Sequence, residues 1–151
     1  MKTKILLPAV AVFLLLVMGI YFLTHPSYDK SIRAKYYYEI GNYKEAYSLA
    51  KEAFSLDVYN RMASTIMTQS QTSLKYVSYI QMGQKYMKDI NKIATQEVIS
   101  DADKAKIRLI CEIMMSAYVK LAPSVITDKE LVRQTAKYHD DFEKLFEKVN
   151  R

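Results

Sequence analysis

The 151-residue chain reads as all-α: a transmembrane helix at the N-terminus, then a domain of packed helices arranged as a short solenoid or bundle. Three observations predict this. Ile5 to Leu23, ILLPAVAVFLLLVMGIYFL, are nineteen consecutive residues without a charge or a strongly polar side chain. The chain holds only three Gly and three Pro, too little punctuation for a many-stranded sheet, while Ala, Leu, Lys, Glu, Gln and Met abound. Past the first run, apolar side chains recur at spacings of three and four, the period of one helix face.

At about 1.5 Å per residue the first run crosses roughly 30 Å of hydrocarbon as one helix. Pro8 falls in its first turns, where the missing N–H costs little, and Tyr21 suits the far interface as an aromatic belt residue. The competing reading is a removed secretory signal. The run is longer than a usual signal core, and its end, Gly-Ile-Tyr-Phe-Leu-Thr-His-Pro, offers no small-x-small cleavage site, so an uncleaved anchor is preferred. Lys2 and Lys4 place residues 1–4 in the cytoplasm as a short tail, and everything from about residue 24 onward on the periplasmic or other extracytoplasmic side. The single cysteine, Cys111, fits an exported chain that uses no internal disulfide. After the anchor at 5–23 come a juxtamembrane linker at 24–30 and a helical domain at 31–151, large enough to bury a core without staples.

The domain divides by its own start and stop signals. Ser27 or Ser31 can cap a helix running to about Ile40, and Gly41-Asn42 ends it with Gly in the left-handed position. A second helix runs from about Tyr43 to Leu56 with Ala46, Leu49, Ala50, Ala53 and Phe54 on one face, and Ile32, Tyr36, Tyr37 and Ile40 are expected to pack against it. From Asp57 or Asn60 to about Ala94 the pattern is helical throughout, with a break expected in the polar patch Thr68 to Ser73. Ser100 and Asp103 have capping-box spacing at the head of a helix that buries Ile107, Ile110, Cys111, Met114, Ala117, Tyr118 and Leu121 and stops before Pro123. The last helix begins at Thr127, with Glu130 three residues on, and carries Leu131, Val132, Tyr138, Phe142, Leu145, Phe146 and Val149.

Residues 31–60 resemble one tetratricopeptide repeat. The resemblance is carried by Ala34 and Tyr37, then Ile40, Gly41, Tyr43 and Ala46, then Ala50 and Ala53, and Leu56 and Asp57. It departs from the family pattern at Lys30, Arg33 and Val58, and no second repeat follows at the family's period. A lone repeat cannot bury its own face, so the later helices must act as its neighbours. In this family the first helix of each repeat lines a concave groove, and the register with Ala34 then assigns Ser31, Lys35, Tyr38 and Glu39 to partner binding.

Catalytic chemistry is not advertised, and the chain is read as a non-enzyme without cofactor or metal. His139, Asp140 and Asp141 are adjacent on a helix, point about 100° apart and cannot converge on one ion. Cys111 sits among isoleucines as a buried thiol, and His25 belongs to the linker. There is no Gly-rich phosphate loop, nucleophile elbow or paired-His motif. Between Asn60 and Ile93 five basic residues face the single acid Asp89, a solubilising face or a docking surface for an acidic protein or anionic headgroups. Nucleic acid does not fit an exported domain. The expectation is a membrane-anchored scaffold or adaptor in a cell-envelope assembly such as a secretion, division or flagellar machine. Its partners would be other envelope proteins, lipid through the anchor, and with room for a second copy of the chain. The alternative is a periplasmic peptide-binding or chaperone-like module.

Overall fold

The structure, a computed structural model, describes residues 2–122 and 127–150, with side chains from residue 8 onward except at 22 and 23. It is all-helical: α1 (Lys2–Thr24), α2 (Pro26–Glu39), α3 (Tyr43–Leu56), α4 (Arg61–Ala94), α5 (Asp101–Val119) and α6 (Lys129–Asn150), with no strand among the described residues. The chain forms two compact units, Met1–Gln71 and Thr72–Arg151, and the boundary falls inside α4.

In the first unit, α1 is followed by His25 alone before α2 begins at Pro26, whose fixed φ suits the first helical position. Ser27 and Ser31, expected as caps, are instead buried along α2 with Ala34. The inward face of α2 is therefore Ser27, Ser31, Ala34 and Tyr38, spaced four, three and four. The expected face was wrong at three positions: Ile32, Tyr36 and Ile40 are 50%, 62% and 56% exposed. Small residues won because they let α2, α3 and α4 approach until backbone and hydroxyl groups bond directly. Ser27 Oγ donates to the Ala53 carbonyl at 2.8 Å, and Asn60 Nδ2 donates to Ser27 Oγ at 2.9 Å and to Ser31 Oγ at 3.3 Å. Asn60 Oδ1 also accepts from the Ala63 amide at 3.1 Å, which caps α4. Ala34, Ala46, Leu49, Ala50 and Ile66 form the apolar centre, with Tyr37, Tyr38 and Met67 against it.

The turn between α2 and α3 follows the expected chemistry. Gly41 has φ 78°, its amide donates to the Tyr38 carbonyl at 3.0 Å, and Asn42 Oδ1 accepts from the Glu45 amide at 3.3 Å to cap α3. Lys30 and Glu52 bridge the hairpin at 2.7 Å, and that hydrogen bond holds the Glu52 carboxyl below its usual range. The pair is exposed, so water and salt screen it and it adds little to stability.

The expected break at Thr68 to Ser73 is absent, and α4 runs through it without interruption. Thr68 Oγ1 bonds back to the Ser64 carbonyl at 3.0 Å, while Ser70 and Ser73 are fully buried, so the polar side chains lie along the helix instead of ending it. In the second unit Tyr79, Ile90, Ile93, Ile107, Ile110, Cys111, Met114 and Phe142 form the core. The capping box at Ser100 is present: its Oγ accepts from the Asp103 amide at 3.1 Å and its amide donates to Asp103 Oδ2 at 3.3 Å. At α6 the cap lies one residue later than expected, since Asp128 Oδ1 accepts from the Glu130 amide at 2.8 Å. Pro123, expected to end the preceding helix, lies outside the described residues. Gly83 is buried, and a Cβ there would meet the Tyr138 ring at 2.9 Å, so its hydrogen lets α6 approach the α4 backbone.

Among the described residues no single helix is long and apolar enough to cross a membrane; Pro8–Tyr21 and Pro26–Glu39 satisfy the length and composition together but are bent by 88°. The side chains of Ile5, Leu6, Leu7, Phe22 and Leu23 in the predicted anchor lie outside the described set.

Candidate partner-binding groove

A groove of about 290 Å³ opens in the first unit between the C-terminal half of α2 and the first turns of α4. It is lined by Lys35, Tyr38 and Glu39 from α2 and by Arg61, Met62, Thr65, Ile66 and Gln69 from α4. Three of the four residues assigned from the sequence therefore meet in one place. The fourth, Ser31, does not reach it: the side chain is fully buried and its Oγ donates to the Tyr28 carbonyl at 2.9 Å. A partner-binding role for Ser31 does not fit that position.

Local structure explains how the lining is held. Lys35 and Glu39 are one turn apart, and Tyr38 projects between them, half-buried against the Ala-rich core with its ring 5.4 Å from that of Tyr43 in an edge arrangement. On the other wall the Asn60 cap starts α4 where Arg61, Met62, Thr65, Ile66 and Gln69 fall on successive turns of one side. Ile66 is buried as floor, and Met62 is 39% exposed at the mouth. None of the ion pairs among the described residues engages Lys35, Glu39 or Arg61, so two cations and one anion border an apolar strip without internal neutralisation.

The α4 half of the groove was not assigned from the sequence. Met62 and Ile66 were legible as part of an apolar stripe, but nothing in the spacing says which helix that stripe meets. The second unit has a groove of its own, about 320 Å³ between α4 and α6, lined by Met87, Ile90, Asn91, Ala94, Asp141, Lys144, Leu145 and Lys148. It holds no residue assigned from the sequence, and its charged members sit on α6 alone. Among the described residues no group of His, Cys, Asp and Glu is placed to hold a metal ion.

The Cys111 thiol is fully buried and pushed up to about 11, first by burial and then by the Glu112 carboxylate. That leaves almost no thiolate at neutral pH, the wrong state for a nucleophile. His139 stacks on Tyr118 with ring centres 4.2 Å apart, in a side-chain stack and not a ligand set.

Comparison of the chain with family models, with curated proteins and with solved structures finds no match.

Proposed function

We propose that this protein is a single-pass, N-in membrane protein whose extracytoplasmic helical domain acts as an adaptor, docking a segment of another envelope protein in the α2/α4 groove. The observation that carries the docking is the convergence of Lys35, Tyr38 and Glu39 with Arg61, Met62 and Ile66 around one apolar strip. Tyr and Arg supply contact area and directional bonds at low entropic cost, and Met adapts to irregular apolar surface. The α2/α3 hairpin serves as one tetratricopeptide-like unit, with Ala34, Ala46 and Ala53 at its closest approach. Catalysis has no part in this reading.

The anchor is supported by the nineteen-residue apolar run and by the surface of α1. Its large described side chains are exposed on every side, from 47% at Val17 to 66% at Leu15. A helix apolar all round is stable in hydrocarbon and unstable in water. The size of the groove favours an adaptor over a chaperone-like module: about 290 Å³ accepts one or two anchoring side chains, not an extended client.

Two substitutions test the docking in the full chain purified in mild detergent. Tyr38→Ala and Met62→Glu should each weaken capture of a co-purifying membrane partner about tenfold, near 1.4 kcal/mol, with helical circular dichroism preserved. Lys44→Ala, on the exposed side of α3, should change nothing. Equal capture by Met62→Glu and the parent chain would reject the groove.

A further inference from the structure

We propose that α2 is an interfacial helix: its exposed face, Ile32, Tyr36 and Ile40, rests on the headgroup–acyl boundary of the bilayer, so that the first unit lies flat against the membrane. The proposal deepens the anchor reading and presupposes it.

Four observations converge. First, Ile32, Tyr36 and Ile40 are spaced by four, form one stripe, and are 50%, 62% and 56% exposed. At about 100° per residue this stripe is centred opposite the buried Ser27, Ser31, Ala34 and Tyr38, so α3 and α4 cannot cover it. Second, α1 meets α2 on the flank next to the stripe, on its Ile32 edge. The Tyr21 ring lies 3.9 Å from His25 and 6.2 Å from Tyr28, and Tyr28 begins the same progression of four that continues through 32, 36 and 40. Third, the helices are bent by 88°, so an α1 running along the bilayer normal places α2 in the membrane plane.

Fourth, the junction has no slack. His25 is the only residue between the two helices; its Nδ1 donates to the Tyr21 carbonyl at 2.8 Å, and its own carbonyl accepts from the Tyr28 amide at 3.0 Å and the Asp29 amide at 3.3 Å. A connection bonded on both sides transmits the anchor's direction to α2. One charge falls within the stripe: Asp29, at the head of α2, lies in the sector between Tyr36 and Ile40. Arg33, along one edge, is paired with Asp29 at 4.0 Å and Lys35 lies along the other, where long aliphatic stems reach headgroups while the stripe stays in the acyl boundary. Asp29 and Glu39 balance these two cations, so the attraction is to the apolar interface and does not depend on anionic lipid.

The test uses the full chain reconstituted in phosphatidylcholine vesicles. In a Cys111→Ala background, single cysteines at Ile32, Tyr36 and Ile40 carry an environment-sensitive fluorophore, with a label at Leu15 to report on α1 and one at Lys44 as the exposed reference. Brominated phosphatidylcholine should quench Leu15 strongly with bromines deep in the chains. It should quench the three α2 labels with bromines near the glycerol end, with blue-shifted emission, and leave Lys44 unaffected. Tyr36→Asp with Ile40→Asp, both at exposed positions, should abolish quenching at Ile32 while leaving the helical signal unchanged. Quenching at Leu15 with none at the α2 labels overturns this inference and leaves the anchor standing. No quenching at Leu15 overturns both. Blue-shifted α2 labels that bromine does not quench are covered by a second copy or another protein, which also overturns it.

Discussion

Around Ala34, Ala46, Ala50 and Ala53 the helices of the first unit close on side chains no larger than a methyl group, whereas the second unit closes on Phe142, Met114, Tyr79 and a run of isoleucines. The two solutions load stability onto different terms. In the first unit, close approach brings polar groups into register, and Asn60, 1% exposed, satisfies Ser27, Ser31 and the head of α4 together. In the second, side-chain volume does the filling, and the buried hydroxyls of Tyr76 and Tyr79 find no protein partner. Close packing pairs Ser27 and Ser31 but leaves the buried Ser70 hydroxyl of the first unit without a protein partner, so an orphaned hydroxyl carries a cost in both units.

The largest effect that would sharpen this contrast is Phe142→Ala. The ring is fully buried, and its loss should cost about 3–5 kcal/mol in chemical unfolding of the full chain in detergent. In the first unit the damage runs in the opposite direction of size. Ala46→Leu or Ala53→Leu should overpack the helix contact and cost about 1–3 kcal/mol, whereas Lys44→Ala should stay within about 0.5 kcal/mol. Equal stability of all three in thermal melts would break the small-residue account at its centre.

Polar deletions should separate the units more sharply still. Asn60→Ala removes a satisfied hub and should cost about 1–3 kcal/mol, while Tyr79→Phe removes an unsatisfied hydroxyl and should be neutral or stabilising by up to about 1 kcal/mol. A clear loss in Tyr79→Phe would mean that the hydroxyl is paired after all.

The smallest effect is alkaline. Burial, helped by Glu112, pushes Cys111 from 9.0 to about 11, and burial, helped by Tyr118, pushes Tyr79 from 10.0 to about 12. The folded chain keeps these protons where the unfolded chain releases them. The contribution is therefore complete below about pH 9 and is lost as pH rises through the shifted values. Melting temperature should fall between about pH 9 and 12, and more gently in a Cys111→Ala, Tyr79→Phe double variant.

Legibility followed side-chain size. In α5 and α6 the expected inward residues Ile107, Ile110, Cys111, Met114, Tyr118, Phe142, Leu145 and Phe146 pack on the second core, because large apolar side chains broadcast their period, whereas Leu131 and Val132, expected on the same face of α6, are not part of it. In α2 the same reasoning chose Ile32, Tyr36 and Ile40 and missed Ser27 and Ser31, since a buried serine looks like a surface serine until its partner is known. The groove was half legible for a related reason. Lys35, Tyr38 and Glu39 were reached through a resemblance, whereas Arg61, Thr65 and Gln69 joined them only because Asn60 docks the head of α4 on Ser27 and Ser31.

Composition and periodicity by themselves determined the all-helical fold, the positions of α3, α5 and α6 to within a few residues, the Gly41 turn and the Ser100 cap, since each depends on interactions no more than one helical turn apart in sequence. The tertiary structure alone decided that α4 is one helix, that α2 turns its serines inward, and that its isoleucines and Tyr36 are left facing out. The orientation of α2 hangs on bonds between residues 26 to 33 positions apart, such as Ser27 to Ala53 and Asn60 to Ser27. A hydroxyl or amide gains from such a bond only once the chain has brought its partner within about 3 Å, and no local pattern carries that information.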